Sequence, residues 1–122
     1  MSKSILIVDD SMSLRATLAI ALRSGGYEVT EAVDGKDALG KLDGRKYNLI
    51  ISDVNMPNMD GLSFVKAAKQ LPTYKFTPIL MLTTEGDEAK KAEGKAAGVK
   101  AWIVKPFQPP TLLDAVSKLI AP

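Results

Sequence analysis

The chain has 122 residues, 46% of them hydrophobic, enough for one domain with a proper core. Its 16 Lys and Arg against 14 Asp and Glu leave a net charge of +2 with no basic block, which argues against a nucleic-acid partner. Cysteine and histidine are both absent, which excludes disulfides, thiolate or imidazole zinc sites, a catalytic Cys and any Ser-His-Asp triad. Any metal must be a hard cation held by oxygen, Mg²⁺ being the common choice where phosphate is handled. The apolar run Ile5 to Val8 is too short for a signal peptide. Nothing approaches the ~18 apolar residues of a membrane span. These bounds lead to the expectation of a soluble, cytoplasmic protein, and a monomer is expected.

Ile5 to Val8 reads as a buried strand that ends in acid, Asp9-Asp10. Ser11 or Asp10 can cap the helix that follows, where Leu14, Leu18 and Leu22 recur on one face, and Gly25-Gly26 stops it. Tyr27 to Ala32 alternates like a half-exposed edge strand. Asp34-Gly35 opens a short helix with Ala38, Leu39 and Leu42, weakened at Gly40 by roughly 1 kcal/mol and ended by Gly44. Leu49-Ile50-Ile51-Ser52-Asp53 is a strand buried on both faces, and it too ends abruptly in acid. After Pro57, Asp60-Gly61 starts a third helix carrying Leu62, Phe64, Val65 and Ala68, and residues 72–77 form a connection. Pro78 to Leu82 is the fourth strand, finishing at Thr83-Thr84. Asp87 can cap a fourth helix, Glu88 to Ala97, rich in Ala and Lys and closed by Gly98. Ala101 to Val104 is the fifth strand, ending at Lys105-Pro106. Pro109-Pro110-Thr111 leads into a last helix bearing Leu112, Leu113, Val116, Leu119 and Ile120.

Alternation of strand and helix five times, with no repeat and no linker, means an α/β fold: a parallel sheet covered by helices on both faces. Right-handed crossovers leave few topologies. The flavodoxin-like, doubly wound (βα)5 order 2-1-3-4-5 puts the amphipathic strand 2 at an edge. That order is borrowed from known folds. It sets Asp9, Asp10, Asp53, Thr83 and Lys105 side by side at the carboxyl edge, where open α/β sheets bind ligands. Two carboxylates about 4 Å apart repel by about 4 kcal/mol at an effective dielectric near 20. Mg²⁺ reverses that sign and Lys105 relieves it further. Asp10 and Asp53, with a carbonyl such as that of Asn55, suit Mg²⁺. A carboxylate beside such an ion can attack a phosphoryl group, and no general base is required. Thr83 can then donate its hydroxyl to a phosphoryl oxygen.

Ile7-Val8-Asp9-Asp10-Ser11, Asp53 to Gly61, Leu82-Thr83-Thr84 and Val104-Lys105-Pro106-Phe107 resemble, in order and spacing, the CheY-like receiver domains of bacterial response regulators, and the likeness spans essentially the whole chain. The resemblance implies that Asp53 accepts a phosphoryl group from the phosphohistidine of a CheA-like histidine kinase. It implies that Asp9 and Asp10 serve Mg²⁺, that Lys105 pairs with the phosphoryl group, and that the Lys105-Pro106 bond is cis. Thr83, with Thr84 beside it, would be the switch hydroxyl. Trp102 stands where receivers usually carry Tyr or Phe, and the larger indole puts complete inward packing in question. Asn55 and Glu85 would flank the path of an attacking water, and a polar pair there implies a short-lived phosphoryl group. The protein would be a self-dephosphorylating switch and not a conventional enzyme.

Each residue has a plainer reading by itself. Asp9-Asp10 can be a cap pair, Asp53 an Asx-turn residue, Thr83 a strand filler and Lys105 a solvated loop lysine. Trp102 can be core or partner contact, and Lys90, Lys91 and Lys95 a solvated helix face. An Mg²⁺-dependent aspartyl-phosphate phosphatase would want Asp-x-Asp after strand 1 and a cap domain, and an FMN carrier a Ser/Thr/Gly-rich phosphate loop; neither is present. The chain is expected to be a single receiver over 1–122 without an output domain or DNA-binding module. Its output would then be a change in binding at the face of helix 4, strand 5 and helix 5. Lys90, Lys91, Lys95 and Lys118 would make that face basic, favouring an acidic partner. The expected target is a flagellar motor switch in chemotaxis; the alternatives are another two-component pathway or a phosphate sink.

Overall fold

The structure, a computed structural model, describes residues 3–56, 58–83 and 88–120. Strands β1 (Ser4–Val8), β2 (Glu28–Ala32), β3 (Leu49–Asp53), β4 (Ile79–Thr83) and β5 (Ala101–Val104) form one parallel sheet in the order β2-β1-β3-β4-β5. They alternate with helices α1 (Met12–Ser24), α2 (Gly35–Lys41), α3 (Gly61–Lys69), α4 (Glu88–Ala97) and α5 (Pro109–Leu119). The expected fold class and strand order are both observed. Every residue of β3 and β4 is buried, whereas β2, at the edge, buries only Ala32.

Alternation along the strands splits the core in two, because successive side chains leave a strand on opposite faces. Leu6, Val8, Ile50, Ile79 and Met81 pack with Phe64, Val65 and Ala68 of α3 and with Ala38 of α2. Ile5, Ile7, Leu49, Ile51, Leu80 and Leu82 pack with Leu18 and Leu22 of α1 and with Leu112 and Val116 of α5. The register levels the carboxyl ends: Val8 lies opposite Ser52, Asp53 opposite Leu82, and Thr83 opposite Val104.

Local chemistry sets the helix ends. Ser11, not Asp10, caps α1 by accepting the Leu14 N–H at 3.2 Å. Asp34 and Asp60 cap α2 and α3, accepting the N–H groups of Asp37 and Ser63, each at 2.8 Å. Helix α2 stops at Lys41, earlier than expected, with Leu42 buried at the cap position. Gly44 lies beyond it at φ 104°. The 72–77 connection holds a 3-10 turn, Pro72–Tyr74, whose buried tyrosine donates to the Arg45 carbonyl at 2.7 Å. The expected Asp87 cap of α4, like Pro57, lies outside the described residues.

Helix α4 differs from the others in burying a single residue, Gly94. An exposed ion pair such as Lys66–Glu93, at 2.8 Å between α3 and α4, contributes at most about 1 kcal/mol. A fully buried Leu contributes about 1.5–3 kcal/mol. Helix α4 is therefore the one least anchored by apolar burial, and it packs beside the edge of the sheet that carries β5.

Candidate functional site

Asp9 directly follows β1, and Asp53 ends β3; both are buried, while the neighbouring Asp10 is exposed. Each of the three offers a carboxylate oxygen, and these oxygens lie within 4.8 Å of one another. Lys105, just past β5, brings its Nζ to 3.1 Å from Asp53 Oδ1. Three carboxylates thus face one ammonium. Burial pushes the Asp9 carboxyl above its ordinary pKa, against the Ser11 N–H that lowers it; Asp53 raises it further and Lys105 pulls it down. Asp9 Oδ1 accepts the Ser11 N–H at 2.8 Å. Its Oδ2 is buried with no hydrogen-bond partner among the described residues. An orphaned anionic oxygen beside two more carboxylates fits a hard divalent cation, which takes oxygen ligands and removes the repulsion. Thr83, at the end of β4, is fully buried. The Lys105–Pro106 peptide is cis.

Two residues that support the site, Arg15 and Asn58, were not singled out from the sequence, and a third, Lys90, was read there only as part of a solvated face. Arg15 donates from Nη1 to the Asp9 carbonyl at 2.7 Å and from Nε to Glu31 at 3.1 Å, holding the acidic turn against the edge strand. Its spacing of four from the cap Ser11 is a readable signal, because helical side chains lean toward the helix N-terminus. Asn58, left-handed at φ 68°, donates from Nδ2 to Asp34 Oδ2 at 2.8 Å and so ties the loop after β3 to the cap of α2. Lys90 of α4, expected in a solvated face, instead donates to Asn55 Oδ1 at 2.6 Å.

The sequence profile described as the response regulator receiver domain matches residues 5–117. The chain belongs to the response regulator receiver family. Among solved structures it is similar to the chemotaxis protein CheY4 of Vibrio cholerae, at 50% identity and a TM-score of 0.94, covering 98% of this chain and 100% of that one. It is also similar to the receiver domain of the sensor histidine kinase PA1611 of Pseudomonas aeruginosa, which has a magnesium ion coordinated in its active-site cleft. That likeness is 26% identity and a TM-score of 0.89 over 98% of each chain. Curated relatives include the transcriptional regulatory protein ResD of Bacillus subtilis, 38% identical over 116 residues, which are 95% of this chain and 47% of ResD. SrrA of Staphylococcus aureus is 38% identical over 98% of this chain and 48% of its own length. The chain therefore spans about half the length of the curated relatives it matches.

Receivers are switch proteins rather than conventional enzymes; they bind Mg²⁺ in an acidic site and work between histidine kinases and downstream targets. In this receiver the structure brings Asp9, Asp10, Asp53 and Lys105 together and places buried Thr83 on the adjacent strand. Asn55 turns its side-chain oxygen to α4, which leaves its carbonyl as the candidate metal ligand. Thr84 and Glu85 lie outside the described residues. No described helix is long and apolar enough to cross a membrane.

Trp102 is half-buried against the α3 side of the core, and Gly94 makes that possible. A Cβ on Gly94 would stand 2.4 Å from Trp102 Cζ2 and 2.8 Å from Cη2. The extra bulk of the indole is thus met by a notch in α4. We expect Gly94→Ala to push the ring outward, shifting the emission of the single tryptophan to the red and costing about 1–3 kcal/mol in urea unfolding. An unshifted spectrum would show that the ring does not need the notch.

Proposed function

We propose that this receiver takes a phosphoryl group onto Asp53 from the phosphohistidine of a CheA-like histidine kinase, with Mg²⁺ present, and signals by a change in binding. The carrying observation is the buried Asp53 carboxylate, 3.1 Å from the Lys105 ammonium and beside two more acids. An Asp53 carboxylate oxygen forms the new P–O bond as the P–N bond to the donor imidazole breaks, and the imidazole nitrogen takes a proton from solvent. Bound Mg²⁺ supplies charge neutralisation to the phosphoryl oxygens. Asp9, Asp10, Asp53 and the Asn55 carbonyl would hold the ion. Lys105 pairs with the incoming anion, and Thr83 donates its hydroxyl to it. Strain is not required, because orientation and charge account for most of phosphoryl transfer.

The 1–122 span acts as one receiver, and its output surface is α4, β5 and α5 with Trp102. That face is less basic than its lysine count suggests: Lys91 pairs with Glu88 at 3.8 Å and Lys118 with Asp114 at 3.0 Å. The likeness to a chemotaxis protein supports a flagellar motor switch as the target. The 38% likeness to two transcriptional regulators favours a second reading, a receiver of another two-component pathway, a phosphate sink included.

Mg²⁺, and then acetyl phosphate or beryllofluoride, should change Trp102 emission, with the second change lost in Asp53→Asn and mass spectrometry placing the label on residue 53. A silent titration, or a label elsewhere, would overturn the proposal. Scoring swimming reversals in a deletion strain separates the motor from other pathways. Replacing Asn55 and Glu85 by leucine should lengthen the life of the labelled protein several-fold; unchanged decay would remove both from the hydrolytic path.

A further inference from the structure

At the amino edge of the sheet, opposite the acids, the loop between the 3-10 turn and β4 presents Phe76 with 87% of its surface exposed, the most exposed large apolar side chain among the described residues. A fully buried Phe is worth about 1.5–3 kcal/mol, so this ring forgoes most of that stabilisation. Its loop is nonetheless braced: Lys69 donates to the carbonyls of Lys75 at 3.1 Å and Thr77 at 2.6 Å, and Tyr74 beside it is buried. Phe76 separates two surface depressions. A groove of about 720 Å³ has Tyr47, Tyr74, Pro78 and Leu119 in its walls and Lys46 at its side. A smaller hollow of about 360 Å³ carries Lys69, Lys75 and Lys100.

Among the described residues, four lysines and no carboxylate line the two depressions. Lys46, Lys75 and Lys100 make no ion pair among the described residues. Lys75 instead holds its ammonium 5.7 Å from the centre of the Phe76 ring. On α4 and α5, by comparison, Lys90, Lys91 and Lys118 are each engaged by a neighbour, while Lys95 makes no ion pair among the described residues.

We propose that this edge is a second interaction surface, for an acidic protein segment that carries an apolar anchor side chain. Unpaired lysines around an exposed aromatic supply charge complementarity at the rim and apolar contact at the centre, the arrangement of a protein-binding patch. The groove is an open depression edged by Phe76, Pro78 and Leu119, a shape that takes a side chain, whereas a bilayer surface is flat. The surface lies at the far end of the strands from Asp53 and does not depend on phosphorylation.

The test is selection of dodecapeptides from a random displayed library on the immobilised full chain. Selected peptides should be acidic with a Phe, Leu or Trp, and should lose affinity as salt is raised to about 0.5 M. Binding should fall at least tenfold in Phe76→Ser and in the triple variant Lys46→Glu, Lys75→Glu, Lys100→Glu. Both variants change exposed groups, and circular dichroism with acetyl-phosphate labelling of Asp53 should match wild type. Peptides that are not acidic, or that bind Phe76→Ser as tightly as wild type, would overturn the proposal. So would phosphatidylserine vesicles or an oligothymidylate binding through Phe76 and these lysines where the peptides do not compete.

Discussion

Replacing Gly61 with alanine should cost about 3 kcal/mol, the upper end of the range for overpacking, and should cut phosphoryl uptake at least tenfold. Gly61 opens α3 directly beneath the proposed acceptor, and its N–H donates to the Val54 carbonyl at 2.7 Å. A Cβ there would lie 2.0 Å from the Asp53 carbonyl oxygen, 2.9 Å from Val54 Cα and 2.8 Å from Met81 Cε. The methionine can swing away; the backbone cannot without moving the peptide that carries Asp53. Stability and acceptor geometry should therefore fail together, read by urea unfolding and by acetyl-phosphate labelling. Gly40 is the control. Nothing lies within 4 Å of a Cβ built on it, so Gly40→Ala in α2 should gain up to about 1 kcal/mol and leave labelling unchanged. A Gly61→Ala protein as stable as wild type would refute the close approach.

Neutralising Asp9 should have the opposite effect on stability. In Asp9→Asn the Oδ1 atom can still accept the Ser11 N–H, while the new amide group places donors where an orphaned oxygen stood among carboxylates. Like charges about 5 Å apart repel by about 3 kcal/mol at an effective dielectric near 20, partly offset here by Lys105. The variant should thus be about 2 kcal/mol more stable than wild type in EDTA, and Mg²⁺ should no longer raise its melting temperature. The pH dependence carries the same signature. Because burial raises its pKa, native Asp9 gives up its proton at a higher pH than the unfolded chain does, so this group lowers stability as pH rises from about 4 through its folded-state pKa. Asp37 acts in the other direction: the Val33 N–H lowers its pKa, so its contribution is present above about 4 and is lost as the pH falls below. Asp9→Asn should abolish only the upper descent. An Asp9→Asn protein less stable than wild type at neutral pH would show that the cluster is not repulsive. The acidic edge then reads as stability given up for a binding site.

The composition and pattern of the chain alone determined the five strands, the five helices and the polar strand ends, because each signal lies within a few residues. Period-2 and period-3.6 spacing decides which side chains a strand or helix buries, and Ser, Asp and Gly punctuate the ends by bonding to nearby backbone. The meeting of Asp9, Asp53, Thr83 and Lys105 was legible only with a strand order borrowed from known folds, after which parallel strands of similar length end level. Tertiary structure alone decided the rest. Lys90 meets Asn55 across 35 positions, Gly94 yields to Trp102, Gly61 touches the Asp53 carbonyl, and the lysines around Phe76 gather from three separate loops and the end of α3. No local pattern marks such pairs, because they depend on how closely two packed elements approach, and that distance is set by every side chain between them.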